Sequence, residues 1–366
     1  MSEEERQSNS FDQPLRDKIF TLKRYCTRPQ NSQCSRCSLV CPHEAITFDD
    51  NNTPHIDPQR CTRCGLCRGV CDAFASERIT LLDLAKRAHR LAKEPGPLFF
   101  TCAEFVNCND RLHQNVFVLP CLASLPPELW ANLLLNGDTI YIHCDFDRCK
   151  QCECAGEHAE ALFSYVFSTA ESWSGASFHF SDELPNAESI LEFYDNPDEM
   201  DRREIFSSVF NEATDITSGK YRQRKSKAQN SFQEQQERMK ARGHIQQGNN
   251  MTLQEALHPT LKKQRWPRQQ LLADALKDNP RQAACITHWF SSTDYNRCQN
   301  SQDCIRRCPT HARSIDEKTQ AVVVDKRFCI ACGACVHVCK NQACFLTEET
   351  ALELIDQPFD GKENDG

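Results

Sequence analysis

Twenty-four cysteines are spread through 366 residues, and two of their runs share one form: Cys61-x2-Cys64-x2-Cys67-x3-Cys71 and Cys329-x2-Cys332-x2-Cys335-x3-Cys339. Three thiols two residues apart on a tight loop can wrap three corners of a cubane iron-sulfur cluster, and a fourth thiolate must then come from elsewhere in the chain. Gly65 and Gly333 follow the second cysteine of each run, where a side chain would crowd a cluster and an unusual backbone angle is expected. A partial run precedes each complete one: Cys26, then Cys34-x2-Cys37-x3-Cys41-Pro42, and Cys298-x5-Cys304-x3-Cys308-Pro309. Structural zinc is the competing use of such cysteines. It needs only two pairs, and these runs overshoot it.

On the motifs Cys61-Thr-Arg-Cys64-Gly-Leu-Cys67 and Cys329-Ile-Ala-Cys332-Gly-Ala-Cys335, residues 20–82 and 285–350 each resemble a bacterial-type dicluster ferredoxin domain. The resemblance implies two 4Fe-4S clusters per domain with crossed ligation. Cys61, Cys64 and Cys67 would join Cys41, while Cys26, Cys34 and Cys37 would join Cys71. In the second domain Cys329, Cys332 and Cys335 would join Cys308. The fourth cluster would use Cys298, Cys304 and Cys339 and take Cys285 as its remaining ligand. Cys344 is given no role. The chain departs from the family pattern where Cys26-x7-Cys34 and Cys298-x5-Cys304 replace a two-residue gap, and where Asp72 and Lys340 stand in place of proline.

A third group of cysteines is different in kind. LFFTC, VFVLPC and TIYIHC are short apolar runs rich in β-branched and aromatic residues, each ending in a cysteine, and they read as strands. The pattern FFTC, VLPCLASL and YIHCDFDRC resembles the iron-sulfur (delta) subunit of heterodisulfide-reductase-associated hydrogenases. That resemblance implies a 2Fe-2S cluster on Cys102, Cys121, Cys144 and Cys149, with Cys108, Cys152 and Cys154 as substitutes. Zinc on the Cys144 to Cys154 group and free thiols are the alternatives. His143, beside Cys144, is expected to be structural rather than a ligand.

The elements that must position these thiols follow from pattern. AITFDDNNTPHID and RSIDEKTQAVVVD each read as a hairpin between the two runs of a domain. In the middle, PPELWANLLLNG and GEHAEALFSYVF read as helices, and ASFHF as a fourth strand, which together predict βαβ units in a small parallel sheet. Its cysteines would converge beyond the strand ends, where such sheets gather their functional residues. The fold class is therefore α+β and multidomain. Two ferredoxin-like domains flank an α/β cysteine-rich domain over 96–199 and a helical or partly disordered connector over 200–284, interrupted by Pro259 and Pro267. Residues 1–19 and 351–366 are expected to be a disordered terminus and an acidic tail.

Composition bounds the function. Net charge is −8 and mean hydropathy −0.61. With no signal-like or membrane-spanning apolar run, a cytoplasmic chain without membrane insertion is expected, whose thiols are kept for metal or redox chemistry. The acidic balance argues against nucleic acid as a partner. Residues 218–268 carry 12 Lys/Arg against 3 Glu, a docking or linker segment. Arg36, Arg63 and Arg68 beside the thiols would either raise cluster potential or form ordinary surface charge. No dinucleotide loop, phosphate loop or carboxylate pair is present. The reading is a multicluster electron-transfer protein that serves a partner oxidoreductase of hydrogenase, heterodisulfide-reductase or formate-dehydrogenase type. An assembly factor for a metalloenzyme and a cysteine-based disulfide reductase are the alternatives.

Overall fold

The Asp/Asn-rich turn in the first cysteine block closes a hairpin because Asp49 accepts hydrogen bonds from the backbone of Asn51 and Thr53 at 2.9 and 2.8 Å, an Asx turn. In this computed structural model, residues 16–93, 97–106, 110, 112–185 and 263–355 are described. The expectations for residues 1–15, Cys108, most of the basic segment and residues 356–366 lie outside them. The described residues belong to one compact unit.

The first domain runs β1 (Ile19–Thr21), α1 (Arg36–Leu39), β2 (Ile46–Phe48), β3 (Pro54–Ile56), α2 (Leu66–Val70) and β4 (Phe74–Ser76). β2 pairs with β3 and β1 with β4, all antiparallel. After it comes α3 (Leu81–Ala92). Thr80 caps that helix by accepting from the Asp83 amide at 3.1 Å, and the buried face Leu84, Ala85, Ala88 and Leu91 joins the central core.

The middle contains β5 (Leu98–Cys102), β6 (Val116–Leu119), α4 (Pro127–Leu135), β7 (Ile140–His143), α5 (Phe146–Lys150), α6 (Gly156–Ser174) and β8 (His179–Phe180). The four strands form a parallel sheet in the order β6-β5-β7-β8. The first strand of the sheet is thus flanked on both sides. Trp130 of α4 is fully buried at the hub, packing edge-on against Phe100 and Phe178 with centroids 4.8 and 5.5 Å away.

Two expectations are corrected in the chain that follows. Pro267 does not interrupt a helix: it opens α7 (Pro267–Lys277) at the first helical position, where its missing N–H costs nothing. Nor does 263–285 behave as a connector. α7 and α8 (Pro280–Cys285) bury Leu271, Leu272, Leu276 and Ala283 in the central core.

The last domain repeats the first: β9 (Thr287–Thr293), α9 (Asp303–Arg306), β10 (Arg313–Ile315), β11 (Val322–Val324), α10 (Ala334–Val338) and β12 (Cys344–Thr350), with β9 on β12 and β10 on β11 antiparallel. The start of the expected tail is instead a turn of helix, Ala351–Leu354, whose Ala351 and Leu354 are buried. No helix among the described residues is long and apolar enough to cross a membrane.

Candidate metal centres

None of the described cysteines forms a disulfide. They gather in five groups, here called sites A to E. At site A, Cys41, Cys61, Cys64 and Cys67 line one cavity with apolar walls from Ile19, Ile46 and Ile56. At site B, Cys26, Cys34 and Cys37 act on one another electrostatically, and Cys37 faces Cys71. This arrangement sets Cys41 beside the second run and Cys71 beside the first. It arises because α1 and α2 pack together and each carries one run's third cysteine towards the other half.

At sites A and B burial dominates the thiol chemistry. Desolvation pushes Cys37 up to about 11 and Cys71 to about 12, and it raises Cys61, Cys64 and Cys67. Buried thiols without a cation stay neutral. A multivalent iron centre supplies the charge that favours the thiolates. Backbone amides already point at the sulfurs: Ala45 donates to Cys41 Sγ at 3.2 Å, Ala73 to Cys71 at 3.4 Å, Ser291 to Cys329 and Ala343 to Cys339 at 3.3 Å. Such donors suit cluster sulfur.

Site C repeats site A. Cys308, Cys329, Cys332 and Cys335 line a cavity whose wall includes Arg313, and burial pushes Cys332 up to about 12. Site D is less complete. Cys298, Cys304 and Cys339 gather in one small cluster of side chains, but Cys285 does not join them. It is exposed at the end of α8, and the extended strand β9 then carries the chain roughly 20 Å further before the turn to Cys298. The cysteine brought near instead is Cys344, buried and packed with both Cys304 and Cys335.

Backbone angles explain the gap at site D. Gln33, Arg63 and Ala331 have φ of 51°, 59° and 49°, and each precedes the second cysteine of its run, Cys34, Cys64 or Cys332. Asn300, with φ of 55°, precedes Ser301. Serine therefore stands where the other three sites have a thiol, and that was readable from the spacing Cys298-x2-Ser301-x2-Cys304.

Site E lies beyond the ends of β5, β6 and β7. The thiols of Cys144 and Cys149 are 3.5 Å apart, and Cys102 and Cys121 act on that pair electrostatically. Burial pushes Cys102 up to about 12. Asp145 positions Cys149 by capping α5, accepting from Asp147 N at 3.0 Å. Cys152 and Cys154 gather with Glu104, Cys152 also acts on Cys102 electrostatically, and Arg16 contacts both Cys154 and Glu104. His143 Nδ1 is 3.0 Å from Thr101 Oγ1, a structural link between β5 and β7.

Site E abuts site A. Cys121 and Cys154 lie near enough to Cys64 to interact with it electrostatically, and Thr62 Oγ1 donates to the Cys154 carbonyl at 2.8 Å. The approach depends on two glycines of the first domain. A Cβ on Gly65 would lie 2.8 Å from Ser124 Cβ, and one on Gly69 would lie 2.2 Å from the Ala123 carbonyl oxygen. Arg68 between them is not surface charge. It is 3% exposed, donates to the Ile79 carbonyl at 3.1 Å, and desolvation lowers it to about 10.

Residues 32–75 and 291–340 each match a family model described as a 4Fe-4S dicluster domain. The chain is an iron-sulfur protein with two such domains. Among curated proteins, it is 61% identical over 39 residues to the polyferredoxin-like subunit of an aliphatic sulfonate oxidoreductase from Pyrococcus furiosus, covering 11% of this chain and 22% of that one. It is 27% identical over 124 residues to a subunit of the Na+-translocating ferredoxin:NAD+ oxidoreductase complex of Acetobacterium woodii, 32% of each chain. A shorter match, 44% over 43 residues, is to the isethionate sulfite-lyase activating enzyme of Desulfovibrio desulfuricans, 12% of this chain and 14% of that protein. The chain thus spans less than a third of the length of each of these relatives. No solved structure matches it.

Proposed function

We propose that the protein is an electron-transfer relay that carries five iron-sulfur centres and exchanges electrons with a partner oxidoreductase. Sites A, B and C would hold 4Fe-4S clusters on the cysteine sets Cys41/61/64/67, Cys26/34/37/71 and Cys308/329/332/335. Site D would hold a fourth cluster on Cys298, Cys304 and Cys339. Site E would hold a 2Fe-2S cluster on Cys102, Cys121, Cys144 and Cys149. The clusters supply one-electron chemistry when bound. The chain contributes thiolate ligands, amide donors to sulfur and burial, which together set potential.

The observation that carries this reading is continuity. Site E neighbours A, with Cys121 and Cys64 near enough to interact electrostatically, and A and B share one domain core. B meets C where Ile330, next to Cys329, packs on the group containing Tyr25, Trp266 and Cys71. C meets D at Cys344. A run of centres in contact is what a relay needs and what isolated zinc sites do not. The named relatives, a polyferredoxin-like subunit and a subunit of a ferredoxin-linked complex, are parts of redox enzymes, which supports a partner oxidoreductase here. Anaerobic purification followed by iron, sulfide and zinc analysis and EPR of the reduced protein tests it. Iron and sulfide in near-equal amounts with interacting reduced signals are expected. A zinc-filled, EPR-silent protein would overturn it.

A further inference from the structure

The two dicluster domains share equivalent backbone hydrogen bonds and strand pairings. Leu22 N donates to the Ala73 carbonyl as Asp294 N does to Ala343, and Asp57 N to Ala45 as Asp325 N does to Ala312. Strand register then equates Ile19 with Ser291, Ile46 with Arg313 and Phe74 with Cys344. All six are buried, between 2% and 7% exposed. In the first domain the space between the cluster sites is apolar. In the second it is a cation, a hydroxyl and a thiol.

The three polar groups form one network. Arg313 Nη1 lies 3.9 Å from Cys304 Sγ and donates to Thr293 Oγ1 at 2.8 Å, while Nη2 donates to the Ser292 carbonyl at 2.8 Å and to Ser291 Oγ. Ser291 Oγ is 3.0 Å from Cys335 Sγ, and Cys344 packs in one buried cluster with Cys304 and Cys335. The network therefore joins a thiol of site D to a thiol of site C. Arg313 has no carboxylate among these hydrogen-bond partners. Its Nε–H is buried with no acceptor, and the side chain lines the cavity of site C, where the sulfide of a bound cluster is an acceptor of fitting chemistry. Arg68, the buried cation of the first domain, differs. It donates to the Ile79 carbonyl and faces the Asp17 carboxylate ahead of the Cys67 thiol, so its charge is shared with an acid.

We propose that Ser291, Arg313 and Cys344 hold the clusters of the C-terminal domain at higher reduction potential than those of the N-terminal domain, making it the electron-accepting end of the relay. The inference rests on the reading that these sites carry clusters. An added electron makes a cluster more negative, and a buried, uncompensated guanidinium with S–H and O–H donors stabilises that state. Electrons then run from site E through A and B to C and D. In this arrangement Arg313 is a positioning and tuning residue, touching no substrate.

The test is an EPR-monitored redox titration of the anaerobically reconstituted full chain, with C-terminal signals assigned by their loss in Cys332→Ser. In the unaltered protein the C-terminal signals are expected to be reduced first. Arg313→Met should keep its iron and shift the C-terminal reduction equilibrium at least tenfold towards the oxidised form, or 59 mV for one electron. Arg313→Lys should restore most of it, and the N-terminal signals should not move. Iron-replete Arg313→Met with unchanged potentials would overturn the proposal. If that variant loses its iron, Ser291→Ala decides: a downward shift of the same signals supports the proposal and no shift overturns it. Failure of the cluster reading is separate, since unaltered protein would then bind no iron at all.

Discussion

Ser301 is reached from Asn300 by the same left-handed step that precedes Cys34, Cys64 and Cys332, so at the position where the other three sites have a thiol site D has an exposed serine whose side chain bonds Asp303. A serine oxygen is a harder and, at neutral pH, protonated donor, and it holds an iron corner weakly. Ser301→Cys is therefore expected to raise bound iron by about one atom per chain and to remove any three-iron EPR signal from the oxidised protein. Equal iron in both proteins would show that another donor already closes the corner. Spacing along the chain disclosed the three-cysteine loops, because those thiols are local. It could not disclose Cys344, whose place beside Cys304 and Cys335 is set by the β9–β12 register, where Cys344 stands opposite Thr293. Cys285 looked close in number and is far in space for the converse reason: a seven-residue strand lies between.

Among the elements, the parallel sheet was legible because each strand is a β-branched or aromatic run ending at a cysteine, and α4 because proline opens it and Gly137 follows it. What was missed, α3, also carried a signal: Thr80 and Asp83 form its N-terminal cap, and Thr80 Oγ1 donates to Asp83 Oδ2 at 2.6 Å. The far end of α3 is pinned by His89, whose Nδ1 lies 2.8 Å from Asp138 Oδ2 and whose Nε2 lies 2.7 Å from Asn132 Oδ1. Asn132 Nδ2 donates to the Leu271 carbonyl, which fixes the amide, so the short contact of each ring nitrogen is to an acceptor, the Asn136 amide nitrogen standing further from Nε2 at 3.4 Å, and the imidazolium is favoured. The Asp138 hydrogen bond accordingly raises His89 above its ordinary value. The stability this adds is complete below the unfolded value of about 6.5 and is lost as pH rises through the higher folded value. Anaerobic thermal melts should fall between about pH 6 and 8 by on the order of 1 kcal/mol, and His89→Gln should flatten that slope. The second element-scale test concerns α2. Alanine is the better helix former, so Gly69→Ala should help an isolated helix by up to about 1 kcal/mol. Here its Cβ meets the Ala123 carbonyl, and a net loss of about 1–3 kcal/mol is expected in melts. A stabilised variant would show that α2 does not dock on 122–124 in solution.

At the scale of the molecule, the cysteine groups are held together by a seam the cysteine pattern does not contain. Arg268, at the start of α7, makes a two-pronged pair with Glu128 of the central domain, Nε to Oε2 and Nη2 to Oε1 both at 3.0 Å. Its amide also donates to Asp72 of the first domain at 3.1 Å. Next to it, Trp266 packs edge-on against Tyr25 at 5.3 Å, and Gln269 Nε2 donates to the Cys329 carbonyl of the last domain at 2.9 Å. One short stretch, 266–269, thereby touches all three cysteine-bearing parts. Composition hid this because Arg268 counts as one more charge at the end of a basic segment, and only the fold shows it 16% exposed and paired. Breaking such a pair from one side leaves the other charge buried, at a cost of about 3–5 kcal/mol, whereas replacing both sides with apolar groups is often neutral. Arg268→Met is therefore expected to lower the melting transition strongly and to uncouple the B and C centres, seen as loss of spin–spin broadening between reduced clusters with iron retained. Arg268→Met with Glu128→Leu should recover most of the stability, and with it the coupling, because Trp266 and Gln269 still span the gap. If Arg268→Met alone leaves both melting and broadening unchanged, the seam is not what fixes B against C, and the relay must be aligned by the Ile330 contact instead.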